Sequence, residues 1–166
     1  EGMGIARDFA RAFWEPGEGA SCVLPREGTV FVSVRDEDKP KAGEIARQLI
    51  AAGFSLVATE GTARVLQGLG LPCRTVNKVR DGSPHIVDAL LAGEVALVVN
   101  TTSTPESIVD SFSMRRTALE TRTPYFTTIA GASAAVLGMI ERVHGRTEVR
   151  SLQEYHGRAR GAGSAG

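Results

Sequence analysis

Lys39, Lys78, the pair Thr59 and Thr62 around Gly61, and the run Asn100-Thr101-Thr102 are the residues of this 166-residue chain whose types suit one shared task. Hydroxyls, a side-chain amide, backbone N–H groups freed by Gly61 and two ammonium groups supply many hydrogen-bond donors and positive charge, which a phosphate monoester requires. Each piece alone has a plainer reading. Thr59 and Thr62 ahead of a helix read as capping hydroxyls. Asn100-Thr101-Thr102-Ser103 reads as an N-cap and turn before Pro105. Asp36-Glu37-Asp38 reads as first-turn acid favoured by the helix dipole, and both lysines as solvated surface charges. Their recurrence at successive strand ends is what points to an anionic small ligand.

The elements that must position these residues follow from alternation of β-rich runs with helical patterns. Strands are expected at Thr29–Val34, Phe54–Ala58, Cys73–Asn77, Val95–Asn100 and Tyr125–Thr128, and helices at Pro40–Ala52, Thr62–Gly68, His85–Ala92, Pro105–Glu120 and Ala132–His144. Gly53, Gly70 and Gly93 punctuate helix ends, and Pro40 suits a first helical turn. The unbroken apolar run Val95–Val99 is of the kind buried on both faces of a parallel sheet and is expected to sit centrally. Five such βα units predict an α/β fold, a doubly wound five-stranded parallel sheet with helices on both faces. Ligands of such sheets bind beyond the carboxyl ends of the strands, and the residues named above all fall there.

Proton-transfer chemistry has thin support. Asp81 and His85 follow the third strand, but Asp81-Gly82-Ser83-Pro84 makes a good turn and His85 opens a helix. Ser103 lacks an adjacent base, and neither a nucleophile elbow, a P-loop nor a dinucleotide fingerprint occurs. No catalytic residue is assigned, and a binding module without chemistry of its own is favoured.

The 19 basic residues balance 19 acidic ones, and aromatics are 5% of the chain, so nucleic acid is not an expected partner. At 42% hydrophobic and 23% charged the chain matches a globular domain with one core. No apolar run approaches the roughly 18–20 residues of a membrane span, and no charged-then-apolar signal opens the chain, so no membrane partner and a cytoplasmic location are expected. Cys22 and Cys73 lack metal-ligand spacing and read as reduced thiols; no metal site is expected. Met3, Phe9, Ala10, Phe13 and Trp14 fall on one helical stripe, so residues 1–14 read as a helix ending a preceding domain and 15–26 as a linker. The folded domain is then expected over 27–157, followed by a disordered Gly/Ala-rich tail over 158–166.

Phe31-Val32-Ser33-Val34-Arg35-Asp36, Ala58-Thr59-Glu60-Gly61-Thr62-Ala63, Val76-Asn77-Lys78-Val79, Pro84-His85-Ile86, Val99-Asn100-Thr101-Thr102, Arg115-Arg116-Thr117-Ala118-Leu119 and Leu152-Gln153-Glu154 form a set of blocks with a family likeness. The chain resembles the methylglyoxal-synthase-like allosteric domain that ends the large subunit of carbamoyl phosphate synthetase. The opening Gly2-Met3-Gly4 stretch is similar to the final helix of that enzyme's second ATP-using half. The resemblance implies an effector-binding role. Nucleotide phosphate (UMP or IMP) would fall to Lys39, Thr59, Thr62, Lys78, Asn100 and Thr102, with Gly61 and Thr101 on the same rim, and ornithine to Tyr125 and Thr127. It implies as partners the remainder of the large subunit and a glutaminase small subunit. ATP, Mg2+ or Mn2+, and K+ belong to the rest of that enzyme, which joins bicarbonate and glutamine-derived ammonia, and none belongs to this domain. Relatives restricted to arginine or urea production respond to acetylated glutamate; Lys78 favours the nucleotide type.

The rival reading is methylglyoxal synthase itself, which shares the sheet and acts on a triose phosphate. Its catalytic Gly-Gly-Asp segment is replaced here by Asp81-Gly82-Ser83-Pro84, and the acid expected after the fourth strand by Asn100-Thr101-Thr102. The cyclohydrolase domain of purine synthesis is a more distant alternative, whose Lys-rich pattern is missing.

Overall fold

The computed structural model describes residues 23–102 and 105–144. The expected helix over 1–14, most of the linker over 15–26 and the tail over 158–166 lie outside the described residues. In chain order the elements are β1 (Thr29–Ser33), α1 (Lys39–Ala51), β2 (Ser55–Ala58), α2 (Glu60–Gly68), β3 (Arg74–Thr75), α3 (Ile86–Leu91), β4 (Leu97–Asn100), α4 (Pro105–Glu120), β5 (Tyr125–Phe126) and α5 (Ile129–His144). Single 3-10 turns cover Asp36–Asp38 and Val79–Asp81.

All strand pairs are parallel, in the order β3-β2-β1-β4-β5. The five-stranded wound sheet is therefore as expected, with one correction: β1, not β4, takes the middle. The β3–β4 crossover returns past β2 and β1, which leaves β4 between β1 and the edge strand β5. The chain reverses direction across the sheet between β1 and β4, the kind of switch point beyond which such folds hold ligands.

Side chains alternate between two buried layers, as a strand with period two requires. Val30, Val32, Leu56, Ala58, Leu97 and Val99 pack with Ile45 and Leu49 of α1, Leu66 of α2 and Val136 and Met139 of α5. Phe31, Val57 and Val98 face the other way, onto Ile86 and Leu90 of α3 and Met114 of α4. Burying each of Leu49, Leu66 and Leu97 completely contributes about 1.5–3 kcal/mol.

Helix stops follow the glycine punctuation. Gly53, Gly70 and Gly93 all have positive φ, 90°, 75° and 71°, a conformation that a side chain resists. The outer strands are shorter than expected. β3 ends at Thr75, although Val76 still donates its N–H to the Ala58 carbonyl at 3.0 Å; the chain then turns to bridge Asn77 with His85. β5 ends at Phe126, and α5 begins at Ile129 rather than Ala132 because the Thr128 hydroxyl accepts the Gly131 N–H at 3.1 Å.

Candidate functional site

Register alone gathers the strand exits. Val32 pairs with Ala58, Ser33 with Asn100, Ala58 with Thr75 and Val99 with Phe126. One residue beyond the last common row therefore lie Val76, Thr59, Ser33, Asn100 and Thr127, side by side at the carboxyl edge. Thr59, Asn100 and Thr127 are sequence-predicted site residues; Ser33 is not.

Thr59 and Thr62 do not act as helix caps. Thr59 occupies the N-cap position of α2, yet makes no side-chain cap hydrogen bond. Its Oγ1 instead meets Ser33 Oγ at 3.1 Å, both residues buried. Thr62 is only 2% exposed, and its Oγ1 accepts the Val34 N–H at 3.2 Å, which ties α2 to the end of β1 and leaves the hydroxyl proton uncommitted. In the first turn of α2 the Thr62 and Ala63 N–H groups already bond to the Thr59 carbonyl, at 2.9 and 2.8 Å, which leaves those of Glu60 and Gly61 without a backbone acceptor. Gly61 is exposed, and a Cβ there would meet only open space.

On the other side of β1, Asn100 is fully engaged. Its Nδ2 donates to Ser111 Oγ at 3.0 Å and to the Tyr125 hydroxyl at 2.7 Å. Its Oδ1 accepts the Thr102 N–H at 3.3 Å and the Thr102 hydroxyl at 2.6 Å. Asn100 thus joins Thr102 and Tyr125, two residues that the sequence placed in different subsites. Thr101 is equally committed, accepting the Arg35 N–H at 3.3 Å and donating to Asp38 Oδ2 at 2.7 Å. Asp38 is only 6% exposed and also receives Arg35 Nε at 2.8 Å. It is the N-cap residue of α1, yet makes no side-chain cap bond. The expectation of a first-turn acid serving the dipole does not describe it: the carboxylate serves a bond to the β4 exit instead.

Lys39 opens α1 and forms an ion pair with Asp36, whose carboxyl is held below its usual range mainly by the Lys39 hydrogen bond and then by its charge. Lys39 is 24% exposed, its partner almost fully exposed. Lys78 begins the turn after β3, where its backbone N–H is accepted by Asp81 at 3.3 Å, and its ammonium forms no ion pair among the described residues. Both cations lie at carboxyl exits, those of β1 and β3, which β2 separates by two strand spacings, about 10 Å. Thr127 is exposed at the end of β5. Tyr125 is half-buried, with the Arg115 guanidinium 5.6 Å from its ring centroid.

No unpaired base stands among the described rim acids. Asp36 and Asp38 are bonded as above, Glu37 lies 3.7 Å from Arg35, and Asp81 is turned to the backbone of its own loop. His85 caps α3, its Nδ1 accepting the Asp88 N–H at 3.4 Å while Asp88 accepts the His85 N–H at 2.9 Å. The Asp88 carboxyl is lowered first by that backbone bond and then by Ser83. Among the described residues no group of three His, Cys, Asp or Glu could hold a metal ion, and no helix is long and apolar enough to cross a membrane. A cleft of about 450 Å³ lies beside α3 between Asn77, His85 and Glu94. Another, of about 920 Å³, lies between Leu119 and Tyr125. Neither contains Lys39, Thr62 or Thr102.

Ser33, Asp38 and Ser111 are the site residues that sequence reasoning missed. Only Ser33 left a signal, as the polar interruption of the apolar run Val30–Val34.

Residues 41–127 match the family model of the MGS-like domain. The chain belongs to the MGS-like domain family. As a member, it is 47% identical over 156 residues to a carbamoyl phosphate synthase large chain of Pseudomonas aeruginosa and 48% identical over 156 residues to that of Xanthomonas axonopodis pv. citri. A large chain of the same name from Methanothrix thermoacetophila is 40% identical over 156 residues. Each alignment covers 94% of this chain and 14% of the relative, so the MGS-like chain spans about one-seventh of those proteins.

Proposed function

We propose that this chain is the effector-binding domain of a carbamoyl phosphate synthase large chain. Its carboxyl rim takes the phosphate of a nucleotide, UMP or IMP, and ornithine is taken through Tyr125 and Thr127. The supporting observation is the shared row of strand exits, which sets Ser33 between Thr59 and Asn100 with the start of α2 adjacent to Thr59. Lys39, Lys78, the Thr62 hydroxyl and the N–H groups of Glu60 and Gly61 are the groups with donors to spare. Thr59 lies between the two cations at the β2 exit, Asn100 and Thr102 continue the rim on the far side of β1, and Thr101 stands behind them. A doubly charged phosphate needs both charge neutralisation and several N–H or O–H donors, and this rim supplies both.

The rim contributes binding, not bond making. Coupling to synthesis of carbamoyl phosphate from ATP, bicarbonate and glutamine-derived ammonia then requires that the effector bind one arrangement of the whole enzyme better than another. ATP, its metal ions and K+ belong to that remainder, as does contact with a glutaminase subunit, and the whole works in the cytoplasm. The paired state of Asp36, Asp38 and Asp81 weighs against the triose-phosphate enzyme, because proton abstraction needs a base free to take the proton.

Calorimetric titration and thermal melting with UMP, IMP, ornithine and acetylglutamate test this reading. A ligand at a hundredfold excess over its Kd stabilises the folded form by about 2.7 kcal/mol, so UMP or IMP should raise the melting temperature. Lys78→Ala should weaken nucleotide binding by about 1.5–3 kcal/mol, the worth of a charged hydrogen bond. No heat and no shift with either nucleotide overturns the assignment.

A further inference from the structure

The carboxylate of Asp38 does something that neither a surface acid nor a helix cap does. One oxygen, Oδ2, receives both Arg35 Nε at 2.8 Å and Thr101 Oγ1 at 2.7 Å, while Thr101 Oγ1 in turn accepts the Arg35 N–H at 3.3 Å. The Thr101 N–H adds a bond to the Ser33 carbonyl at 3.0 Å, and the Asp38 N–H one to the Arg35 carbonyl at 3.1 Å. These bonds form a closed circuit across the switch point, between the loop leaving β1 and the loop leaving β4. A carboxylate as buried as Asp38 persists only when its acceptor capacity is met, so the circuit has a strong preference for one geometry. Lys39 follows Asp38 directly and Thr102 follows Thr101, so the circuit sits immediately behind one rim cation and one rim hydroxyl.

We propose that Asp38 is the positioning residue of the effector site: with Thr101 and Arg35 it fixes the separation of the β1 and β4 exits and thereby aims Lys39 at the bound phosphate. This rests on the effector-site reading above and adds to it that Thr101 acts from behind the rim, with its hydroxyl spent on Asp38. With its backbone held in place beforehand, Lys39 gives up less freedom when its ammonium exchanges Asp36 for the anion, which is how preorganisation raises affinity.

The test uses the 166-residue chain, UMP titrated calorimetrically, and the variants Asp38→Ala, Lys39→Ala, their double variant, Thr101→Ser and Thr101→Val. Asp38→Ala should weaken UMP by about tenfold, the scale of one lost charged hydrogen bond, and should cost nothing further in the Lys39→Ala background. Residues acting through one another are non-additive in this way, whereas general loosening of the fold adds to the Lys39 loss. Thr101→Ser should bind as the parent does and Thr101→Val as Asp38→Ala does, which keeps the inference open to failure should Asp38→Ala not fold. Unchanged UMP affinity in Asp38→Ala, or full additivity with Lys39→Ala, overturns the positioning role. Should the parent chain itself bind no UMP, the effector reading fails and with it the phosphate-aiming role. Amide exchange then decides the circuit separately. The amides at positions 35 and 101 should exchange at least about tenfold faster in Thr101→Val and Asp38→Ala while that of Phe31 is unchanged, and equal rates would remove the circuit as well.

Discussion

Asn100 donates a 2.7 Å hydrogen bond to the phenol of Tyr125, across the β4–β5 pair and 25 residues along the chain. In the proposed reading the first residue would meet the nucleotide and the second ornithine, yet one hydrogen bond joins them. A ligand that draws Asn100 towards its phosphate must exchange this bond or carry Tyr125 with it.

Tyr125→Phe removes the acceptor and leaves one part-buried Asn100 N–H to find another. Its cost should be about 1–2 kcal/mol in a denaturant titration, the usual penalty for orphaning one side of such a pair. A midpoint equal to the parent's would mean that water replaces the phenol without loss.

Gly61→Ala and Gly53→Ala separate backbone strain from ligand access. Gly61 lies in the first turn of α2 with open space around it, so alanine should stabilise the fold by about 0.4–1 kcal/mol while weakening nucleotide binding. Gly53 also has open space, but its φ is 90°, so alanine there should destabilise by about 1–2 kcal/mol. Thermal melts with and without UMP read both effects.

Leu49→Ala should cost about 2–5 kcal/mol, since Leu49 is wholly buried between α1 and the sheet. Leu119→Ala, at 80% exposure on α4, should stay within about 0.5 kcal/mol of the parent. Equal losses at the two sites in urea unfolding would contradict the placement of the core.

Acid should weaken the fold through Asp36 and Asp88. Both carboxyls are lowered from 3.8, by Lys39 in one case and by the His85 N–H and Ser83 in the other. A depressed folded-state value means that the stabilisation is present above pH 3.8 and is lost as the pH falls through the lower folded-state value. Asp88→Asn should therefore flatten part of the acid limb in a pH series of melting temperatures, with no change in slope near neutrality.

Cys73 should be a slow thiol. Burial pushes it up to about 11 from 9.0, which leaves about a hundredfold less thiolate at neutral pH than an ordinary cysteine has. In a Cys22→Ser background, a chromogenic disulfide reagent should react slowly with the native chain and rapidly after denaturation.

Much of the fold was legible because its signals are local. Gly53, Gly70 and Gly93 each end a helix, and the apolar run to Asn100 is a doubly buried strand. The outer strands were over-extended because residues 76–77 and 127–128 are β-compatible in sequence, but each has a neighbour on one side only and turns away to cap the next helix or bridge to it. Thr59, Thr62 and Asn100 were placed at the rim by counting strand ends. What their hydroxyls and amide bond to was not legible, because Ser33 and Thr59 meet only once β1 and β2 are in register. Asp38 is the sharpest case: its position before α1 reads as helix-terminal acid, while its partner Thr101 stands 63 residues away.

The alternation along β1, with Phe31 set against α3 and α4 and Val30 and Val32 set against α1, α2 and α5, divides the molecule into two slabs. Lys39 and the start of α2 belong to one slab, and Asn100 to Thr102 lead into α4 of the other. An anion gripped from both sides would work as a rivet through the two plates, and whatever surface lies on their far edges would feel the clamping force without touching the ligand.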